Sequence, residues 1–289
     1  MEEARLESGA ARAVVSSHGA ELREWSVDGR DLLWHGDDRW WGDCSPVLFP
    51  VVGWTRGGKV RVGGREYPLG LHGFAHESVF SVVERGPDRV RLALEDDART
   101  RALYPFAFRL ELAYRLTPEA IEVEISVANR GDGTMPYAAG LHPGFRWPLP
   151  GAEGKPHAIE FEAAERPEVP VIAPGGLFSR RTRPIPLRGR VLPVDSDVFS
   201  AEALCFLGAA SKSLRFGAPG AELSVTLENL PGIVLWSRPG APFLCIEGWS
   251  GMGDPEDFEG DLFEKPGMAK LEPGETAVHR MTFSFRANT

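Results

Sequence analysis

The chain has 289 residues, of which 43% are hydrophobic, and it carries 33 Gly and 24 Pro. That length and apolar content allow one large core, and Gly and Pro falling between short apolar runs point to many strands joined by turns rather than to long helices. A formal net charge of −9 excludes nucleic acid or an anionic membrane as the partner, because either would need a basic face; a neutral small molecule suits the balance.

The three cysteines, Cys44, Cys205 and Cys245, are odd in number and none forms a C-x-x-C pair. They read as buried, reduced thiols rather than a disulfide framework or thiolate metal site. The segment Met1-Glu2-Glu3-Ala4-Arg5-Leu6-Glu7 has neither the basic nor the apolar region of a signal peptide. No apolar run approaches the ~20 residues that cross a bilayer, and a cytoplasmic location is expected.

Along the chain, Ala13-Val14-Val15 and the alternating Glu21-Leu22-Arg23-Glu24-Trp25-Ser26-Val27 read as strands. Asp28-Gly29 is a hairpin signal with its return strand over residues 31–35, and Gly63-Gly64 joins a second hairpin of residues 59–62 and 65–69. Residues 79–84, 89–95, 106–116 and 120–129 each alternate with period two between short turns, which predicts an antiparallel meander. Residues 150–195 are rich in Pro, Gly and Arg, lack periodicity, and are expected to be a long irregular loop. Strand patterns resume at 213–216, 222–227, 233–237, 243–247 and 276–286, with short helices expected at 200–207 and 98–103. No repeat or linker interrupts the chain, so residues 1–289 are taken as one domain of β-sandwich or barrel type.

Three islands place polar groups at apolar, glycine-rich strand ends: Leu69-Gly70-Leu71-His72-Gly73-Phe74, Ala139-Gly140-Leu141-His142-Pro143-Gly144-Phe145, and Phe243-Leu244-Cys245-Ile246-Glu247-Gly248-Trp249. Glycine beside such a group lets a ligand approach the backbone closely. A carboxylate at Glu247, after four apolar residues, is expected to be partly buried and raised toward the range of a general base, against the plain reading of a solvated strand-end Glu. His142 and His72 can exchange protons near neutrality, although each alone reads equally well as a structural histidine. Trp54, Phe74, Phe145, Trp147, Trp236 and Trp249 cluster with these groups; such rings can lie under the C–H face of a sugar, and about half of them are expected to belong to the core.

Other patterns carry less. His72 and His76 have the spacing of a helical metal pair, but Gly73 argues against a helix and no third ligand is evident, so no metal is expected. Gly248-Trp249-Ser250-Gly251-Met252 lacks the final Gly of a nucleophile elbow. Arg180, Arg181, Arg183, Arg188 and Arg190 lack a glycine cradle and read as a solvated basic loop, with a sugar phosphate as the alternative ligand.

In order along nearly the whole chain, the sequence resembles the aldose 1-epimerase (galactose mutarotase-like) superfamily, most closely its LacX-like branch. The matching stretches include Ser45-Pro46-Val47-Leu48-Phe49-Pro50-Val51-Val52-Gly53, Tyr67-Pro68-Leu69-Gly70-Leu71-His72-Gly73-Phe74, Gly140-Leu141-His142-Pro143-Gly144-Phe145 and Asp195-Ser196-Asp197-Val198-Phe199. They continue through Ala241-Pro242-Phe243-Leu244-Cys245-Ile246-Glu247-Gly248-Trp249, Gly260-Asp261-Leu262-Phe263-Glu264-Lys265-Pro266-Gly267 and Leu271-Glu272-Pro273-Gly274-Glu275. The resemblance implies an all-β, large antiparallel β-sandwich of the supersandwich type. It also implies mutarotation of a sugar without cofactor, by a monomer or homodimer. Glu247 would be the general base at the anomeric hydroxyl and His142 the general acid at the ring oxygen. His72 would polarise the ring oxygen or hold a neighbouring hydroxyl, and Asp197 would bind sugar hydroxyls; Trp236 and Trp249 of the aromatic cluster are expected to contact the sugar beside them. Related sequences carry Arg after the Val-Gly of residues 52–53; Trp54 stands there, able to stack on the ring, and Arg56, two residues on in a strand, would share its face. Two further readings remain at this point: a hexose-6-phosphate mutarotase, favoured by the arginine run, and a non-catalytic carbohydrate-binding or sensing protein, to which loss of the Arg would point.

Overall fold

The structure, a computed structural model, describes residues 2–287; Met1, Asn288 and Thr289 of the expected unit lie outside the described residues. It is an all-β protein, a large antiparallel sandwich. Its main sheet has nine strands in the order Val191–Val194, His157–Phe161, Ser213–Ala218, Ala221–Glu228, Thr276–Ala287, Ala120–Asn129, Phe108–Leu116, Arg89–Glu95 and Ser81–Arg85. The facing sheet runs Leu204–Phe206, Gly232–Trp236, Phe243–Trp249, Gly140–Leu141 and Val47–Leu48, with Gly144–Arg146 also paired to Phe243–Trp249. A four-stranded sheet from residues 3–31 packs against the same core, with its Trp25 and Phe283 of the main sheet 6.3 Å apart between ring centroids. No helix among the described residues is long and apolar enough to cross a membrane.

The meander read from alternation is present, its four strands side by side in chain order. Ala120–Asn129 shows why: Ile121, Val123, Ile125 and Val127 are buried, while Glu124 on the opposite face reaches Arg280 of the neighbouring strand at 2.7 Å. The expected hairpins at Asp28-Gly29 and Gly63-Gly64 also form, although the first returns only over Arg30–Asp31.

Two expectations are corrected. Residues 200–207 are not a helix: Glu202 sits at φ 76°, which a right-handed helix cannot hold, and Leu204–Phe206 pairs with Ile233–Leu235 as an edge strand. The helical turn lies just before it, at Ser196–Phe199, capped by Asp195. Ala98–Leu103 is helical as expected, with Asp97 and Thr100 in a capping box. Residues 150–195 are not one irregular loop; they contribute two strands to the main sheet and a hairpin of Glu168–Ala173 with Leu177–Pro184. Most of that hairpin's side chains are exposed or half-buried, so no inward face imposes a period of two on its sequence.

The strand Phe243–Trp249 is buried at every position. Leu244 and Ile246 point into the main core, and a Cβ on Gly248 would sit 2.7 Å from the Met281 sulfur and 2.8 Å from Leu227. The alternate residues Phe243, Cys245, Glu247 and Trp249 therefore face the other way, toward smaller apolar clusters and a cleft. Gly248 is small because the main sheet lies against it. Gly248→Ala is expected to cost about 1–3 kcal/mol through overpacking, read as a lower urea midpoint with an unchanged denaturant slope.

Candidate active site

The cleft on that second face has a volume of about 770 Å³ and is lined by Glu247, His142, His72, Trp236, Trp249 and Trp54 among others. Glu247 is 1% exposed; the solvated strand-end reading is therefore excluded. Its Oε2 accepts a hydrogen bond from the Trp249 indole at 2.8 Å, a residue on the same strand face, and its Oε1 lies 3.3 Å from His142 Nε2. Burial pushes the carboxyl well above its ordinary range, and the indole hydrogen bond offsets this only in part.

His142 follows the two-residue strand Gly140–Leu141, whose glycine is required: a Cβ there would lie 2.6 Å from the Gly248 carbonyl. His142 is 8% exposed and its ring is walled by Trp41, with ring centroids 4.9 Å apart, and by Trp236 at 5.8 Å. Burial holds it down to about 3. Both members of the pair are thus pushed toward their neutral forms by the same cause.

His72 adopts φ 61°, rare for a residue with a side chain. Reciprocal hydrogen bonds hold it there: its backbone N–H donates to the Gly53 carbonyl at 3.0 Å, and its Nδ1 accepts from the Gly53 N–H at 3.1 Å. An accepting Nδ1 places the proton of the neutral ring on Nε2, as a donor in the cleft. Burial and the neighbouring histidines keep the ring neutral. Its centroid lies 5.4 Å from that of His142 and 5.8 Å from that of Trp249.

Two sequence-predicted residues are not brought to this site. Arg56 lies in a short 3₁₀ turn, Arg56–Gly58, rather than a strand, so it does not share the face of Trp54; its guanidinium pairs with Glu259 at 3.1 Å. Asp197 is exposed on the turn Ser196–Phe199, where Val198 and Phe199 take the inward positions, and does not line the cleft. Phe145 and Phe74 are core residues. The sequence reading missed Trp41 and the rim groups Asp43, Glu77, Glu202 and Arg238, and weighed the rim residue His76 only as a metal ligand. Of the arginine run, Arg180 pairs with Asp257 and Arg190 with Glu160, while Arg183 donates to the Glu202 carbonyl at 3.1 Å, beside the cleft.

A buried ion pair supports the wall beneath Trp54. Lys265 Nζ lies 2.8 Å from Asp254 Oδ1, both side chains almost inaccessible. Asp254 also accepts from the Arg56 N–H and donates its own N–H to the Trp54 carbonyl, each at 2.8 Å. Removing one charge strands the other in the interior. Lys265→Met is expected to lose about 3–5 kcal/mol in urea denaturation.

Protonation gives a second expectation. Because Glu247 titrates above its ordinary 4.5 when folded, its contribution to stability is full below that value and is lost as pH rises toward the folded one. His142, at about 3 against an ordinary 6.5, runs the other way: its contribution is present above 6.5 and lost as pH falls toward 3. Glu247→Gln deletes only the first, so its stability relative to wild type should rise when both are denatured from about pH 4 to about pH 8. A flat difference would mean that Glu247 titrates as a solvated carboxyl.

Residues 2–284 match the family profile described as Aldose 1-epimerase. The chain is 31% identical over 262 residues to the plasmid protein LacX of Lactococcus lactis subsp. lactis, spanning 86% of this chain and 88% of that one. A galactose mutarotase-like protein from Lactobacillus casei superposes with a TM-score of 0.92 at 24% identity, over 99% of this chain and 100% of that one. A galactose mutarotase related enzyme from Lactobacillus acidophilus superposes with a TM-score of 0.90 at 26% identity, over 100% of this chain and 98% of the other. With its profile matched almost end to end and the same sandwich shared by these structures, the chain belongs to the aldose 1-epimerase family.

Proposed function

We propose that this protein is a mutarotase that interconverts the α and β anomers of an unphosphorylated aldose. The observation that carries the reading is the Glu247–His142 pair: a carboxyl and an imidazole, 3.3 Å apart and buried, on the wall of a cleft large enough for a sugar. Family membership supports the reaction class.

The pair holds one mobile proton. In its ionic form, carboxylate with imidazolium, Glu247 takes the proton from the anomeric O1 hydroxyl while His142 gives its proton to the ring oxygen O5. The C1–O5 bond breaks, C1=O1 forms, and the pair is left as carboxylic acid with neutral imidazole. Burial favours that neutral form on both residues, so the ionic form that starts ring opening is the minor form of the pair, and opening discharges it into the form the environment prefers. Rotation about C1–C2 presents the other carbonyl face. Reclosure returns the proton from Glu247 to O1 and the O5 proton to His142. His72, with its Nε2 proton fixed by the Gly53 clamp, donates to a ring or hydroxyl oxygen close to His142. Holding both proton-transfer groups against one bound ring supplies the proximity the reaction needs without a cofactor.

The rim argues for a free sugar over a phosphorylated one. Asp43, Glu77 and Glu202 line the opening against Arg238 and, hydrogen-bonded to the Glu202 carbonyl, Arg183; with three carboxyls against two guanidiniums, a phosphate dianion meets net repulsion there. Polarimetry or exchange NMR on freshly dissolved α-D-glucose and α-D-galactose tests the reading. Wild type should speed equilibration of at least one aldose; equilibration of every aldose tried at the uncatalysed rate would sink it and leave a carbohydrate-binding protein. Glu247→Gln and His142→Asn should each lower kcat by about 10²–10⁴ with near-native thermal unfolding. Glucose 6-phosphate should be turned over more slowly than glucose at low salt, with the gap narrowing as salt rises.

A further inference from the structure

We propose that the buried Lys265–Asp254 pair is the positioning device of His72: it fixes the segment Gly53–Arg56, whose first amide decides which ring nitrogen of His72 carries the proton. The role of His72 as a donor to the sugar rests on the mutarotase reading above; the link between the ion pair and the ring does not.

The link runs through consecutive peptide groups. The Gly53 N–H donates to His72 Nδ1 at 3.1 Å, and the Gly53 carbonyl accepts from the His72 N–H at 3.0 Å. The next two groups turn to Asp254: the Trp54 carbonyl accepts from the Asp254 N–H, and the Arg56 N–H donates to Asp254 Oδ2, each at 2.8 Å. One short stretch of backbone thus holds His72 with its first half and is held by Asp254 along its second. There is no slack between the two. Gly53 stands at φ 68°, and a Cβ on it would lie 2.8 Å from the Gly253 Cα, so the residue before Asp254 backs directly onto the residue that grips the imidazole. A displacement of Asp254 is passed to the Gly53 amide, because close-packed backbone transmits strain rather than absorbing it.

Asp254 is in turn oriented by one charge. Its Oδ1 lies 2.8 Å from Lys265 Nζ, the two side chains are 5% and 0% exposed, and among the described residues Asp254 is the only carboxylate paired with that ammonium. Its backbone carbonyl accepts from the Phe178 N–H at 2.9 Å, so each of its four polar groups has a partner. Two apolar side chains of similar volume could fill this space with little loss of stability. They could not decide which carboxylate oxygen faces the ammonium and which meets the Arg56 N–H; the ion pair does. The consequence falls on the imidazole. With the Gly53 N–H withdrawn, nothing among its recorded hydrogen bonds favours one neutral tautomer of His72, and the form protonated on Nδ1 presents an acceptor to the cleft in place of a donor.

The test begins with heteronuclear NMR of the imidazole nitrogens, the His72 signals being identified by their absence in His72→Ala. In wild type, Nδ1 should be unprotonated and Nε2 protonated. The double variant Asp254→Leu with Lys265→Met removes both charges and strands neither. It should remain folded by circular dichroism, yet show both His72 nitrogens shifted toward a mixture of tautomers. Its kcat/KM for the aldose turned over best should fall about ten- to hundredfold. The same double change made in His72→Ala should cost less than about threefold further, because a pair that acts through His72 then has nothing left to position. In wild type, hydrogen exchange should give the Gly53 and Arg56 amides one shared opening free energy, a readout that needs no variant to fold. The proposal is overturned if the folded double variant keeps the wild-type tautomer, if its loss of kcat/KM adds in full to that of His72→Ala, or if the Gly53 amide opens independently of the Arg56 amide. The mutarotase reading fails separately, when no aldose equilibrates faster with protein present; the tautomer and exchange measurements then decide the positioning role alone.

Discussion

A strand covered on both sides leaves its alternating side chains only two destinations. In Phe243–Trp249 one set, Leu244 and Ile246 with Gly248 between strand and sheet, is committed to the core shared with Met281 and Leu227. The other set must face the cleft, and Glu247 belongs to it. The energy that holds a carboxyl in so dry a place is not local to it. It comes from the apolar contacts of its strand neighbours, each worth about 1.5–3 kcal/mol when fully buried, against a desolvation penalty of several kcal/mol for a charge. The same packing that fixes the fold therefore sets the protonation of the site, through burial of Glu247 and of the imidazole beside it.

How much of this was legible in the sequence depended on how local the cause was. The strands at 89–95 and 120–129 could be read because one face is wet and one dry, so the residues alternate. Glu247 stood out because four apolar residues precede it, and His72 because Gly73 follows it at a point where Phe49 leaves no room for a side chain. The double coverage of Glu247 could not be read, since the covering residues lie elsewhere in the chain, at 221–230 and 276–287. Trp41 gave no usable signal: it adjoins Trp40 in a polar loop, and its place beside His142 is set by the missing side chain of Gly144, whose Cβ would lie 2.9 Å from it. Arg56 and Asp197 were misplaced because a strand rule and a motif match were applied to residues that fall on tight turns.

The buried Glu247–His142 pair and the mouth of the cleft rest on different parts of this molecule. Glu247 sits on the strand Phe243–Trp249 and His142 directly follows the short strand Gly140–Leu141 beside it, with Gly140 and Gly144 allowing their neighbours to close in. Trp54 and its surroundings rest on turns, a hairpin and a buried Lys265–Asp254 pair. The hairpin Glu168–Pro184 is joined to the sandwich largely at its ends and is exposed along much of its length. Changes there can remodel the mouth of the cleft while the pair beneath keeps its geometry, as is common where loops on a rigid scaffold carry recognition.

The position of the strand Thr276–Ala287 has a consequence for biosynthesis. It is the last of these strands to leave the ribosome, yet it lies fifth of nine, joining Ala120–Asn129 to Ala221–Glu228. Until it arrives, the nascent chain carries two half-sheets, each with an open edge of unpaired amide groups along a strand with an apolar face. At roughly 5–20 residues per second, the interval between synthesis of the first of these edges and its closure lasts many seconds. During translation the protein is thus exposed to pairing with the wrong partner at the strand that later anchors its centre, and protection of nascent chains would matter most between residues 129 and 276.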